Sequence, residues 1–118
     1  MMLKVVVAAG RSATRSSLWN LVETEPTLDP VGAAATMPAA IRMLRTHRPD
    51  LLLVDRRLLD PSGLRMLTAE FTDTSVVLFG MGDHPGIETL ALEAGAAAYI
   101  RLDEAAERVG GFVDSLVG

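Results

Sequence analysis

The 118-residue sequence contains no cysteine. That excludes a disulfide scaffold, a thiolate metal site and a thiol nucleophile. Aromatic residues are scarce, at three Phe, one Trp and one Tyr. No apolar run approaches the ~18–20 residues that a membrane-spanning helix requires. The opening Met1-Met2-Leu3-Lys4 lacks the layout of a cleavable signal, because its short valine run is followed by Arg11 and Arg15. Positive charge is short as well, with 11 Lys and Arg against 15 Asp and Glu, a net −4. That balance argues against direct nucleic-acid binding, which needs a basic footprint. One absence is local: the aspartates begin at Asp29, so the first 28 residues carry none. What is present is a chain 49% hydrophobic and 22% charged, near the usual size of one domain, 1–118, with a core of its own.

Short apolar runs alternate with helical periodicity. Leu3 to Ala8 is a continuous run suited to a strand buried on both faces. A helix follows from Ser12, with Leu18, Leu21 and Val22 on one side, and stops before Pro26; Ser12 is its expected cap. Val31 to Ala35 reads as a weak second strand. Met37, Ala40, Ile41 and Leu44 form a clean helical stripe, ended from outside by Pro49. Leu51 to Val54 is the strongest strand, closed by Asp55. A third helix carries Leu64, Leu67 and Phe71, preceded by Pro61-Ser62-Gly63 as a turn. Val76 to Phe79 is a fourth strand, ended by Gly80-Met81-Gly82. Ile87, Leu90, Ala91 and Ala94 form the next stripe, with Gly95 as its C-cap. Ala97 to Ile100 is a fifth strand, and Ala105, Val109, Phe112, Val113 and Leu116 share one side of a last helix. Gly110-Gly111 weakens that helix by about 1 kcal/mol per glycine relative to alanine.

Five β-α pairs with short connections predict an α/β fold: a doubly wound, five-stranded parallel sheet with helices on both faces. Ligand sites in such sheets lie beyond the carboxyl ends of the strands. That edge is supplied by Ala9-Gly10-Arg11, Asp55-Arg56-Arg57, Gly80-Met81-Gly82 and Arg101-Leu102-Asp103.

The segment Arg48-Pro49-Asp50-Leu51-Leu52-Leu53-Val54-Asp55, with Arg57 and Gly63-Leu64 after it, resembles the third strand and phosphoacceptor loop of response-regulator receiver domains in two-component signalling. Ala94-Gly95-Ala96-Ala97-Ala98-Tyr99-Ile100 resembles the end of that family's fourth helix and its fifth strand. The likeness covers the whole chain and is greatest to the subfamily with a C-terminal helix-turn-helix. It implies the flavodoxin-like (βα)5 receiver fold.

The resemblance also assigns roles by position. The family's phosphoacceptor, an aspartate that takes a phosphoryl group from a histidine kinase, matches Asp55. Its two Mg²⁺-holding acids match Ala9 and Gly10, neither of which can ligate a cation with its side chain. Its hydroxyl residue at the end of the fourth strand matches Gly80. Its lysine after the fifth strand matches Leu102, with Arg101 one residue earlier, and its proline beyond the acceptor matches Leu59. The family's switch aromatic, which rotates inward behind the hydroxyl residue, matches Tyr99. Metal and lysine supply most of the electrostatic stabilisation in phosphoryl transfer. Without them a phosphoryl group of about −1.5 to −2 charges has only arginines to meet it, the candidates being Arg11, Arg56, Arg57 and Arg101.

The expectation is therefore an atypical receiver with a degenerate pocket. It is a non-enzymatic signalling and protein-interaction module without cofactor or metal, and Asp55 is read as a remnant. Output would come through a homodimer or protein partner. The contact face would be that of the fourth helix, fifth strand and fifth helix, or that of the first and fifth helices. A DNA-binding part outside this chain and a cytoplasmic, bacterial setting are expected. Two alternatives stand beside it. Asp55 could still accept a phosphoryl group from a cognate histidine kinase, with Asp83 or Asp103 helping to hold metal. The same edge could instead bind a small anion through Arg11, Ser12 and Thr14. His47 and His84 lack metal-ligand spacing and read as surface residues.

Overall fold

The computed structural model describes residues 2–82 and 85–117. Among these residues five strands and five helices alternate: β1 (Leu3–Ala8), α1 (Ser12–Thr24), β2 (Leu28–Ala34), α2 (Met37–His47), β3 (Leu51–Asp55), α3 (Pro61–Glu70), β4 (Ser75–Gly80), α4 (Ile87–Glu93), β5 (Ala98–Arg101) and α5 (Ala105–Val117). Short 3₁₀ turns follow β3 (Arg56–Leu58) and β5 (Leu102–Glu104). The strands are parallel, in the order β2-β1-β3-β4-β5. The doubly wound sheet expected from the alternation is thus the observed one.

Side chains alternate across the strands and build two cores. Val5, Val7, Leu51, Leu53, Val77, Phe79 and Ile100 face α1 and α5 through Leu18, Val22, Val109 and Val113. Val6, Ala8, Leu52, Val54, Val76, Leu78 and Tyr99 face α2, α3 and α4 through Ala40, Leu44, Leu64, Leu67 and Ala91. Burial on both faces explains why β1 from Val5 and β3 up to Val54 read as unbroken apolar runs. Strand order reverses between β1 and β3, so their carboxyl ends border the crevice where such folds place ligands.

Several local expectations need correction. β2 begins at Leu28, not Val31, and carries Asp29 and Pro30 inside it. It is an edge strand, where proline's missing N–H is tolerated, and the pairing with β1 slips beside it, between Val5 and Val6. Pro61-Ser62-Gly63 is the first turn of α3 rather than a turn before it; Asp60 caps the helix, accepting from Gly63 N at 2.7 Å. Ser12 lies inside α1, whose N-cap position is Arg11 with no side-chain cap bond. Leu90 and Leu116, placed on core stripes by periodicity, are exposed. The α4 core contact comes from Ala91, and that of α5 from Ala105, Val109 and Val113.

Candidate functional site

Among the described residues Asp55 is the buried charged one, 2% exposed at the carboxyl end of β3 with β4 alongside. The 3₁₀ turn after it sends the chain back on itself, so the head of Arg57 lands on the carboxylate two residues behind. Arg57 N donates to Oδ1 at 3.0 Å. Its Nε donates to Oδ1 at 3.2 Å and Oδ2 at 3.1 Å, and Nη2 donates to Oδ2 at 2.6 Å. This is a guanidinium fork on both carboxylate oxygens, the strong form of a charge-assisted pair. Burial alone would raise the Asp55 carboxyl. The Arg57 side-chain and backbone hydrogen bonds, then the charges of Arg57 and Arg56, outweigh it and hold the group below its ordinary 3.8. Arg57 is correspondingly raised, first by its hydrogen bond to Asp55. A carboxylate used as nucleophile must present a free lone pair to phosphorus. Here both oxygens are already engaged by a group from the same loop.

At the end of β1, Ala9 is fully buried and belongs to the α1/α5 core. Gly10 is exposed, and a side chain there would have ordinary room, meeting Leu58 Cδ2 at 3.5 Å and Ala35 O at 3.8 Å. Its nearest neighbour would be a leucine methyl, not a carboxylate. Arg15, from the first turn of α1, donates Nη1 to Ala9 O at 2.9 Å and reaches Gly10 O at 3.5 Å. These residues do not fit a Mg²⁺ ion, which needs hard oxygen ligands and at least one or two carboxylates. Positions 9 and 10 offer no side-chain oxygen, and a fixed cation sits on their carbonyls. Among the described residues no group of three His, Cys, Asp or Glu could hold a metal.

Gly80, at the end of β4, lies beside Tyr99 of β5. The Tyr99 ring is turned inward and 7% exposed, and its hydroxyl is buried without a hydrogen-bond partner among the described residues. A Cβ at residue 80 would lie on the phenol, 2.8 Å from Tyr99 Cζ and closer to the oxygen, and 3.0 Å from Arg56 Cδ. The glycine is therefore sterically required by this arrangement, whereas Gly10 is not.

Leu102 opens the 3₁₀ turn after β5 and packs against the α1/α5 core, leaving no cation at its position. Arg101 pairs with Asp103, with Nε to Oδ1 at 3.1 Å and Nη2 to Oδ2 at 2.6 Å. Asp103, a candidate metal helper, is thus engaged by an arginine. Asp83 and His84 lie outside the described residues. Arg11, Ser12 and His47 are exposed. Two grooves flank α3. One, of about 450 Å³, runs between α2 and α3 past Met37, Arg57 and Met66. The other, of about 280 Å³, runs between α3 and α4 past Arg56, Leu78 and Leu90. Arg11, Ser12 and Thr14 line neither.

The structure thus brings together Asp55, Arg56, Arg57, Gly80 and Tyr99, with Ala9, Gly10 and Arg15 at the neighbouring end of β1. Two features escaped the sequence. One is the Arg57 fork; the arginine pair was visible, but not the turn that aims it. The other is the contact of Arg15 with the β1 carbonyls, for which the cluster of Arg11 and Arg15 was the one available signal.

No protein-family model matches the chain. In sequence it is 29% identical over 100 residues to the transcriptional regulatory protein YhcZ of Bacillus subtilis, covering 82% of this chain and 47% of that one. It is 28% identical over 105 residues to the DNA-binding transcriptional activator DevR/DosR of Mycobacterium tuberculosis, covering 86% and 48%. In structure it is similar to the signal receiver domain of the response regulator NarL from Mycobacterium tuberculosis, with a TM-score of 0.85, 24% identity and coverage of 98% and 95%. It is also similar to the isolated receiver domain of RcsB from Salmonella enterica, solved with the phosphomimetic BeF3-, with a TM-score of 0.87, 15% identity and coverage of 98% and 88%. The fold is that of response-regulator receiver domains. The sequence likeness is to transcriptional regulators of the LuxR/NarL type. The chain spans about half the length of the curated relatives it matches. Among the described residues no helix is long and apolar enough to cross a membrane.

Proposed function

We propose that this receiver signals without conventional Mg²⁺-dependent phosphorylation of Asp55, through protein contacts. The observation that carries this reading is the Arg57 fork, which engages both oxygens of the buried carboxylate. Three further features support it. Ala9 and Gly10 bring no metal ligand, and Arg15 covers their carbonyls. Gly80 has no hydroxyl to offer a phosphoryl group. Leu102 replaces the cation that would pair with it. Phosphoryl transfer is almost wholly a matter of positioning and charge stabilisation, and each of these groups would supply a separate part of that stabilisation. In this reading Asp55 is structural, holding the 3₁₀ turn through Arg57 N.

The same reading places output in a homodimer or protein partner using the α4–β5–α5 face or the α1/α5 face. It joins the chain to a DNA-binding part, by analogy with DevR/DosR. The test is incubation of the domain with Mg²⁺ and acetyl phosphate followed by intact-mass spectrometry. The expected result is an unmodified mass. Stoichiometric phosphorylation mapped to Asp55 would overturn the proposal and support a receiver still served by a histidine kinase.

A further inference from the structure

Beyond the fate of Asp55, we propose that Gly80 and Tyr99 are a matched pair that keeps the carboxyl ends of β4 and β5 in a single conformation, with the phenol permanently inward. Tyr99 pairs in register with Leu78 and faces the α2/α3/α4 core. From there the ring reaches toward the strand end, and its hydroxyl finishes where a side chain of residue 80 would begin. A two-position aromatic needs a competitor for the inward space. Residue 80 is placed to be that competitor, and as glycine it offers none.

Arg56 closes the space from the β3 side, its Cδ at 3.0 Å from the same point. The inward position needs no ligand and no modification. It is held by packing rather than by hydrogen bonding, since the buried hydroxyl has no partner. A side chain at 80 would meet the end of a ring walled in by the core, and the ring would have to turn outward to make room. The face that β5 shares with α4 would then present one shape to its partners, whatever happens at Asp55.

The chain contains a single tyrosine, so ring-labelled tyrosine gives one unambiguous NMR probe. In the unmodified protein the expected result is one set of ring signals, shielded from a soluble paramagnetic chelate. In Gly80→Thr the ring signals should shift and show a several-fold larger paramagnetic relaxation enhancement. Thermal melting supplies the second readout. Gly80→Thr should lower Tm in the presence of Tyr99 and have little effect in a Tyr99→Leu background, where the side chain ends short of residue 80. If Gly80→Thr alone does not fold, Gly80→Thr/Tyr99→Leu should. An exposed ring or two ring populations in the unmodified protein would overturn the proposal. So would an equal Tm loss in both backgrounds, or a double variant that fails to fold. No phosphodonor is present in these experiments, so their outcome is independent of the phosphorylation test.

Discussion

Tyr99→Phe removes one oxygen from a ring that is 7% exposed and leaves the rest of its packing in place. That oxygen is buried and has no hydrogen-bond partner among the described residues. Leaving a buried polar group unpaired costs about 1–3 kcal/mol. Deleting the oxygen also opens a small void beside Gly80, which takes back part of the gain. The net expectation is a protein about 1 kcal/mol more stable than the parent. With an unfolding entropy of roughly 2.1 cal/mol/K per residue, a chain of this length gains about 4 °C in Tm for each kcal/mol. Thermal melts by circular dichroism, with urea unfolding at equal m-value, measure this directly. A Tyr99→Phe protein less stable than the parent would mean instead that the hydroxyl has a partner and that hydrogen bonding, not packing, fixes the ring.

Asp55 makes a pH-dependent contribution of definite sign. Its folded carboxyl lies below the ordinary value, so the charged form stabilises the fold above the unfolded pKa, and this is lost as pH falls through the folded one. The parent should therefore be more stable than Asp55→Asn at pH 7, with the gap narrowing below about pH 4; a gap that widens in acid contradicts the fork. Gly95 has φ +107°, and a Cβ there would approach Thr68 Oγ1 to 2.5 Å. Gly95→Ala should cost about 1–3 kcal/mol in urea unfolding, and a neutral result would argue against this turn. Asp60→Ala removes the α3 cap and should cost about 1 kcal/mol by the same assay, with no loss expected if Asp60 does not cap.

The sequence was legible where one physical signal dominated. β1 from Val5 onward and β3 are buried on both faces, and their Val and Leu runs say so. Arg48 closes α2 in the left-handed region just before Pro49, where the proline had marked the stop. β2 was harder because Asp29 and Pro30 contradict strand propensity, and only its edge position excuses them. Leu90 and Leu116 misled because helical periodicity identifies a stripe without saying how wide the covered part is. At the site, the positions of Asp55, Gly80 and Tyr99 were legible from motifs, but their relations were not. The Arg57 fork depends on a 3₁₀ turn, and the fit of Tyr99 to Gly80 depends on the β4–β5 register. Neither leaves a trace in local composition. The absence of acids at positions 9 and 10 has a structural counterpart in Arg15, whose guanidinium lies on the carbonyls of Ala9 and Gly10.

If Asp55 is structural, as proposed, its pocket does not respond to a phosphoryl group or its metal. Amide NMR of the domain during titration with Mg²⁺ and beryllofluoride tests it most directly. No saturable shifts are expected at Asp55, Gly80 or Tyr99. Saturable shifts at these residues, dependent on both Mg²⁺ and beryllofluoride, would contradict it.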